Sequence, residues 1–301
     1  MNRWNLLKYT AIGATICAIC VAYGYFVEPH RLVINEQTIH IKKWNPEFEG
    51  LRIAMLGDIH GGSNGVTESK LREVVAKTNE QNADIIVLLG DYASQRYGGG
   101  AVDGRDINMP MSTIADNLAG LQAPLGVFIV LGNHDGWYGD ESVIGEFSRV
   151  GYRVMQNEVA IVERNSQRLR LFGMKDHLAL KGGWYRTAAE SKEIVSTTGP
   201  GDLIVLQHSP DIHPMLTGQF QISSDLRLIL AAHTHGGQVW FPILGAPVVP
   251  SGYGQKYVRG HVIDKGVDMF VTTGIGTSIL PFRFMVPPEI AVLTIKAEPP
   301  G

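Results

Sequence analysis

Downstream of residue 50 the chain repeats one pattern: a short apolar run closed by glycine, at 51–56, 85–89 and 127–131. Runs of this length, bounded by glycine, read as strands buried on both faces. Between the first two, Thr67 stands ahead of a segment reaching Gln81 in which Leu71, Val74 and Val75 share one helical face. That predicts a helix capped by the threonine. Residues 31–43 alternate apolar and polar around Asn35-Glu36 and read as a short hairpin. In the second half strands follow one another: 159–162 and 169–172 as a hairpin around Asn165-Ser166, then 203–206, 228–231, 239–241, 269–272 and 290–295. Strands that first alternate with helices and then come in series predict an α/β domain of two packed sheets flanked by helices. No linker divides it, so residues 31–297 form one domain. Residues 93–109 are glycine-rich and polar, a loop of the kind that carries function.

Ahead of this domain, residues 9–27 are uncharged and mostly apolar. A bilayer-spanning helix needs about 20 such residues. The flank 1–8 supplies Arg3 and Lys8. An uncleaved single-pass anchor is favoured over a secretory signal cut near Ala22-Tyr23-Gly24, because the apolar run continues through Tyr25, Phe26 and Val27. After the run Glu28 comes first, and Arg31 is the one basic residue before Lys42. The positive-inside rule then puts the following domain on the extracytoplasmic side.

Composition narrows the function classes. With 45% hydrophobic and 18% charged residues, the chain can bury a sizeable core. A net charge of −3 lacks the basic footprint of a nucleic-acid binder. Cys17 and Cys20 both lie in the N-terminal apolar run. This excludes a disulfide framework, a thiolate zinc site and a cysteine nucleophile in the domain.

The candidate chemistry sits where the strands end. The first strand runs into Asp58-Ile59-His60, the second into Gly90-Asp91, the third into Gly132-Asn133-His134-Asp135. Two later strands run into Gln207-His208 and His233-Thr234-His235. Loops at the carboxyl ends of neighbouring strands converge in α/β proteins. Gly-Asp alone is usually a turn, and a lone histidine is usually hydrogen-bonded structure. Asp-x-His and His-x-His are more specific, because residues i and i+2 of an extended segment point the same way. The five groups together, each at a strand end, point to metal. Carboxylate, imidazole and amide oxygen suit zinc, manganese or iron. The donors are too many for one ion. Two ions sharing a bridging carboxylate would hold a phosphate oxygen and lower the pKa of a shared water, so that hydroxide exists at neutral pH.

This order of motifs resembles the calcineurin-like metallophosphoesterase superfamily. A branch of bacterial, membrane-anchored phosphodiesterases is similar also through residues 231–238 (AAHTHGGQ) and the tail from Gly274-Ile275-Gly276 to Pro287-Pro288-Glu289-Ile290. The resemblance covers about residues 31–297. It implies a four-layer α/β/β/α sandwich of two mixed sheets. It also implies a dinuclear centre: Asp58, His60 and His235 on one ion, Asn133, His208 and His233 on the other, Asp91 bridging. His134 would contact the phosphate and protonate the leaving group, with Asp135 orienting it. The branch implies the bacterial inner membrane and a diester or pyrophosphate substrate, lipid-linked or nucleotide-linked. A phosphomonoesterase or protein phosphatase, and a non-catalytic scaffold that would have lost ligands, are the competing readings. One departure stands out: Ala232 occupies the position before His-x-His that is usually glycine, where a methyl shifts the backbone if φ must be positive. Asp176 and His177 read as turn residues rather than cleft residues. Arg283 reads equally as a second phosphate contact or a structural salt bridge.

Overall fold

The computed structural model describes residues 3–96, 106–176 and 183–299. The first described element is α1 (Arg3–Phe26), exposed along most of its length, with Cys20 and Tyr23 half-buried and Gly24 buried. The stretch Arg3–His30 is long and apolar enough to cross a membrane.

β1 (Val33–Ile41), β2 (Leu51–Leu56), β3 (Ile85–Leu89) and β4 (Val127–Val130) belong to the first sheet. Between them stand α2 (Glu68–Glu80) and α3 (Met111–Leu118); α4 (Asn133–Tyr138) and α5 (Asp140–Arg149) follow β4. β5 (Glu158–Arg164), β6 (Gln167–Gly173), β7 (Asp202–Leu206), β8 (Leu226–Ala231), β9 (Gly260–Asp264) and β10 (Val267–Val271) form the second sheet, with α6 (Gly183–Ser196) and α7 (His213–Leu216) interspersed. β11 (Glu289–Ala297) returns to the first sheet. The orders are β1-β11-β2-β3-β4 and β5-β6-β7-β8-β10-β9. Both sheets are mixed: β2, β3 and β4 run parallel, as do β6, β7, β8 and β10, while β11 is antiparallel to β2.

Side-chain alternation builds the layers. Ile53 and Met55 of β2 point between the sheets, with Leu171, Ile204 and Leu228 of the second sheet. Ala54 and Leu56 point the other way, onto Leu71 and Val74 of α2 and Ile114 of α3. Val205 and Ile229 likewise face Val195 of α6 and Leu216 of α7. Three apolar cores between four layers make the expected α/β/β/α sandwich, and strands buried on both faces account for their unbroken apolar runs.

Three local readings differ. The expected hairpin at 31–43 is one nine-residue strand, parallel to β11. Glu36 faces outward, while half-buried Asn35 on the opposite face donates through Nδ2 to Glu289 Oε2 rather than forming a turn. The segment 239–241 makes isolated bridges, Val239 to Phe284 and Phe241 to Gly245, in place of a strand. β9 went unread because its five positions alternate between half-buried and exposed and none reaches full burial. By contrast, the β5–β6 hairpin turns at Asn165 and Ser166, both in left-handed conformation (φ 46° and 66°). This matches the twist of a two-residue turn. Thr67 caps α2, its hydroxyl accepting from the Lys70 N–H at 3.2 Å.

Candidate metal centre

The carboxyl ends of β2, β3 and β4 meet those of β7 and β8. All seven expected donors lie there, from both sheets. Their backbones come unusually close: a Cβ on Gly90 would stand 2.3 Å from Gly132 N, and one on Gly132 2.3 Å from Asp91 Oδ1. Only glycine permits that approach. Asp58, His60, Asp91, His233 and His235 all have positive φ, from 43° to 70°.

Three donor groups form, each within 4.8 Å: Asp58 with His60 and His235, Asp91 with His208 and His233, and His60 with Asp91 and His134. Asp91 stands between the first two. Its Oδ2 lies 3.5 Å from His60 Nε2 and 3.2 Å from His208 Nε2. Asp58 Oδ1 is 3.7 Å from His235 Nε2. The rings are turned toward each other: His60 Nε2 to His235 Nε2 is 3.3 Å, and His208 Nε2 to His233 Nδ1 is 3.1 Å. Backbone carbonyls fix this orientation, with His60 Nδ1 on Ala93 O at 3.1 Å and His208 Nδ1 on Leu89 O at 2.7 Å. A histidine that gives its Nδ1 proton to a carbonyl presents Nε2 as a ligand. Asn133 Oδ1 is buried and, among the described residues, has no hydrogen-bond donor. An orphaned amide oxygen beside facing imidazole lone pairs fits a pair of divalent cations.

The electrostatics agree. Burial pushes the Asp58 carboxyl up to about 7 and His60 down to about 3. Burial opposes charge on His208 as well, but Asp91 and Asp58 outweigh it and lift the ring to about 10. Asp91 is also pushed up by burial, yet His208, His134 and His60 hold it well below the usual carboxylate range. A site that draws a proton onto His208 in this way has negative charge to neutralise, a task suited to cations.

His134 follows Asn133 into α4. Its backbone N–H donates to Asp91 Oδ1 at 2.8 Å, and its Nε2 faces Ser278 Oγ at 3.4 Å. Among the described residues its Nδ1 pairs with Gln95 Oε1, while Gln95 Nε2 donates back to His134 O at 2.8 Å. Asp135 was expected to orient His134. Its carboxylate instead accepts from the backbone N–H groups of Asp91 and Tyr92 at 2.8 Å, Gly132 at 2.9 Å and Ala93 at 3.1 Å. It ties the β3 and β4 loops together, and Gln95 holds the ring. Gln95 was missed because nothing in the sequence distinguishes it within its polar loop; its position four residues after Asp91 was the one available signal.

Other expectations shift with burial. Ala232 is absent from the residues with positive φ. Its methyl faces Gly57, where an added Cβ would lie 2.7 Å away, so the lost glycine is matched by one on the opposite strand. Arg283 is fully buried, and among the described residues it neither lines the cleft nor forms a salt bridge; it donates to the carbonyls of Thr273, Gly276 and Val286. Asp176 is buried rather than on a surface turn, and lines a cavity with Asn133. His177 lies outside the described residues. A larger cavity of about 430 Å³ opens on Asp91, Asn133, His134, His233 and His235. Its far wall is apolar, with Val239, Val248, Ile279 and Leu280.

Two packed mixed sheets whose strand ends share one carboxylate between two imidazole-rich donor sets define a metal-dependent phosphoester hydrolase. The chain belongs to the calcineurin-like phosphoesterase family, whose sequence profile matches residues 51–237. It is 28% identical to the uncharacterized metallophosphoesterase YkuE of Bacillus subtilis, over 99% of this chain and 98% of that one. It is also 28% identical to phosphodiesterase YaeI of Escherichia coli, over 98% and 99%. A transmembrane protein with metallophosphoesterase domain from Danio rerio is 28% identical over 96% of this chain, which spans 63% of the fish protein.

Proposed function

We propose that the protein hydrolyses phosphodiesters or pyrophosphates carried by a lipid or a nucleotide, at a membrane to which α1 anchors it. The two donor trios, one containing Asp91 and the other within 3.5 Å of it through His60, carry the hydrolase part of this reading. Asp58, His60 and His235 would hold one divalent ion and Asn133, His208 and His233 the other, with Asp91 within reach of both; manganese, iron and zinc fit the donors. When bound, the ions supply positive charge for the phosphate oxygens and an activated water. The protein does the rest. His134, steadied by Gln95 and facing the cavity, donates a proton to the leaving oxygen. Asp135 fixes the two loops that carry Asp91, Asn133 and His134. The apolar far wall of the cavity supports a substrate with a greasy or flat group beside its phosphate. The relative named a phosphodiesterase supports a diester, and the relative named a transmembrane protein supports the anchor. With Arg3 and Lys8 in the first turns of α1, ahead of its apolar run, residues 31–297 face the extracytoplasmic side of a bacterial inner membrane.

The deciding experiment assays the purified, manganese-loaded protein on matched monoester, diester and nucleotide-sugar substrates. The diester or pyrophosphate should turn over fastest. A monoester hydrolysed more than about tenfold faster, roughly 1.4 kcal/mol in barrier, would make the protein a phosphomonoesterase instead.

A further inference from the structure

Two loops carry an apolar surface that the chemistry above does not use. Residues 239–255 contain no charged residue, and residues 274–288 contain only Arg283, whose guanidinium is buried on carbonyls. The loops are laced together: Trp240 N donates to Phe284 O at 2.9 Å, Phe284 N to Gln238 O at 2.8 Å, and the Phe241 and Phe284 rings pack at 5.9 Å. At their tips Ile243 is fully exposed, Ile279 is 76% exposed, and Leu244 and Val248 are each 74% exposed. Contiguous exposed apolar residues, unlike scattered ones, mark an interaction surface. Two of these tips are also conformationally costly. Ile243 has φ 76° and Ile279 φ 63°, a region where β-branched residues are outliers and where a water-facing turn is better served by glycine or asparagine.

The second of these loops, with Asn64, holds the end of α1. Arg283 N donates to Gly24 O at 3.0 Å, and Tyr23 packs edge-on against Phe284 at 6.3 Å. Asn64 Nδ2 joins Tyr25 O at 2.8 Å to Pro281 O at 2.7 Å. The apolar tips therefore begin where the helix leaves the domain. They also continue inward, since Val248 and Ile279 line the cavity of the metal centre.

We infer that the tips around Ile243, Leu244 and Ile279 dip into the leaflet from which α1 emerges, a second membrane contact that opens the cavity sideways onto lipid. The partner is the bilayer itself. Uncharged loops suit its hydrocarbon edge, and the half-exposed Tyr25 and Tyr253 suit its headgroup level. The inference rests on α1 as the anchor and not on the identity of the substrate.

The test uses the full chain with Cys17→Ser and Cys20→Ser, in vesicles of phosphatidylethanolamine and phosphatidylglycerol. A nitroxide is placed on Ile243→Cys or Leu244→Cys and, as control, on Glu190→Cys in the exposed part of α6. Collisions with oxygen, which concentrates in hydrocarbon, are compared with collisions with a polar nickel chelate. The expected result is a shift in favour of oxygen at 243 and 244, with none at 190. Chelate access at 243 and 244 equal to that at 190 overturns the inference. Protection from both reagents overturns it as well, and would place a protein surface there, either a partner or a second copy. Hydrolysis of bis-p-nitrophenyl phosphate, read on the same labelled samples, reports separately on folding and on the hydrolase reading.

Discussion

Five donor residues hold backbone conformations that L-amino acids seldom adopt, at a cost of about 1–3 kcal/mol each. Such strain persists only where surrounding contacts over-determine it, and Asp135, with its four backbone donors, is that constraint for Asp91. Asp91→Ala is therefore expected to lower metal content from near two equivalents and to abolish hydrolysis, as elemental analysis and an assay on the same sample would show. His134→Ala should keep both ions but lose about 10²–10⁴-fold in kcat, less for substrates with a very acidic leaving group. Gln95→Ala should reproduce part of that loss, about 10- to 100-fold, with metal content unchanged. The titrations give a sign. The Asp58 and His208 pKa values are raised in the folded protein, to about 7 and about 10. Each group therefore adds stability below its unfolded value that is lost as pH rises through the folded one. His60, depressed to about 3, gives its opposite contribution below about 6.5. Metal-free protein should then lose thermal stability as pH rises from about 6.5 toward 10. Added metal should flatten that decline, because it displaces the His208 proton. A melting temperature independent of pH without metal would contradict this.

At the scale of elements, the ends of β2 and β8 touch through a single methyl. Gly57→Ala would force two Cβ atoms to 2.7 Å, an overpacking expected to cost about 1–3 kcal/mol. Adding Ala232→Gly should recover most of it, and a double-mutant cycle by chemical denaturation would measure the coupling. The sequence made the buried strands legible because burial on both faces leaves continuous apolar runs; β2 and β3 begin and end where the runs do. Half-buried edges hid themselves. β1 reads as a hairpin because Asn35-Glu36 resembles a turn when its partner, β11, lies some 250 residues away in sequence. The donors of the site were legible because each follows a strand. Its supports were not: the grip of Gln95 on His134, the seat of Asp135 on backbone, and the match of Gly57 to Ala232 all depend on contacts between distant segments.

For the whole molecule, the amino-terminal charges make a directional claim. A cytoplasm-only reporter fused after residue 301 should be silent, and its activity would reverse the assigned side. A further consequence follows from the place of β11 between β1 and β2. A growing chain can make β1 and β2 early, yet leaves facing edges unpaired until β11 arrives. Closure of the first sheet is thus among the last acts of folding, and Asp58, at the end of β2, settles only then. His208, His233 and His235 are also late in synthesis. Loading of the centre is therefore post-translational by construction. The ions that fill it are then those of the compartment in which folding ends, so that compartment, together with donor chemistry, selects the metal.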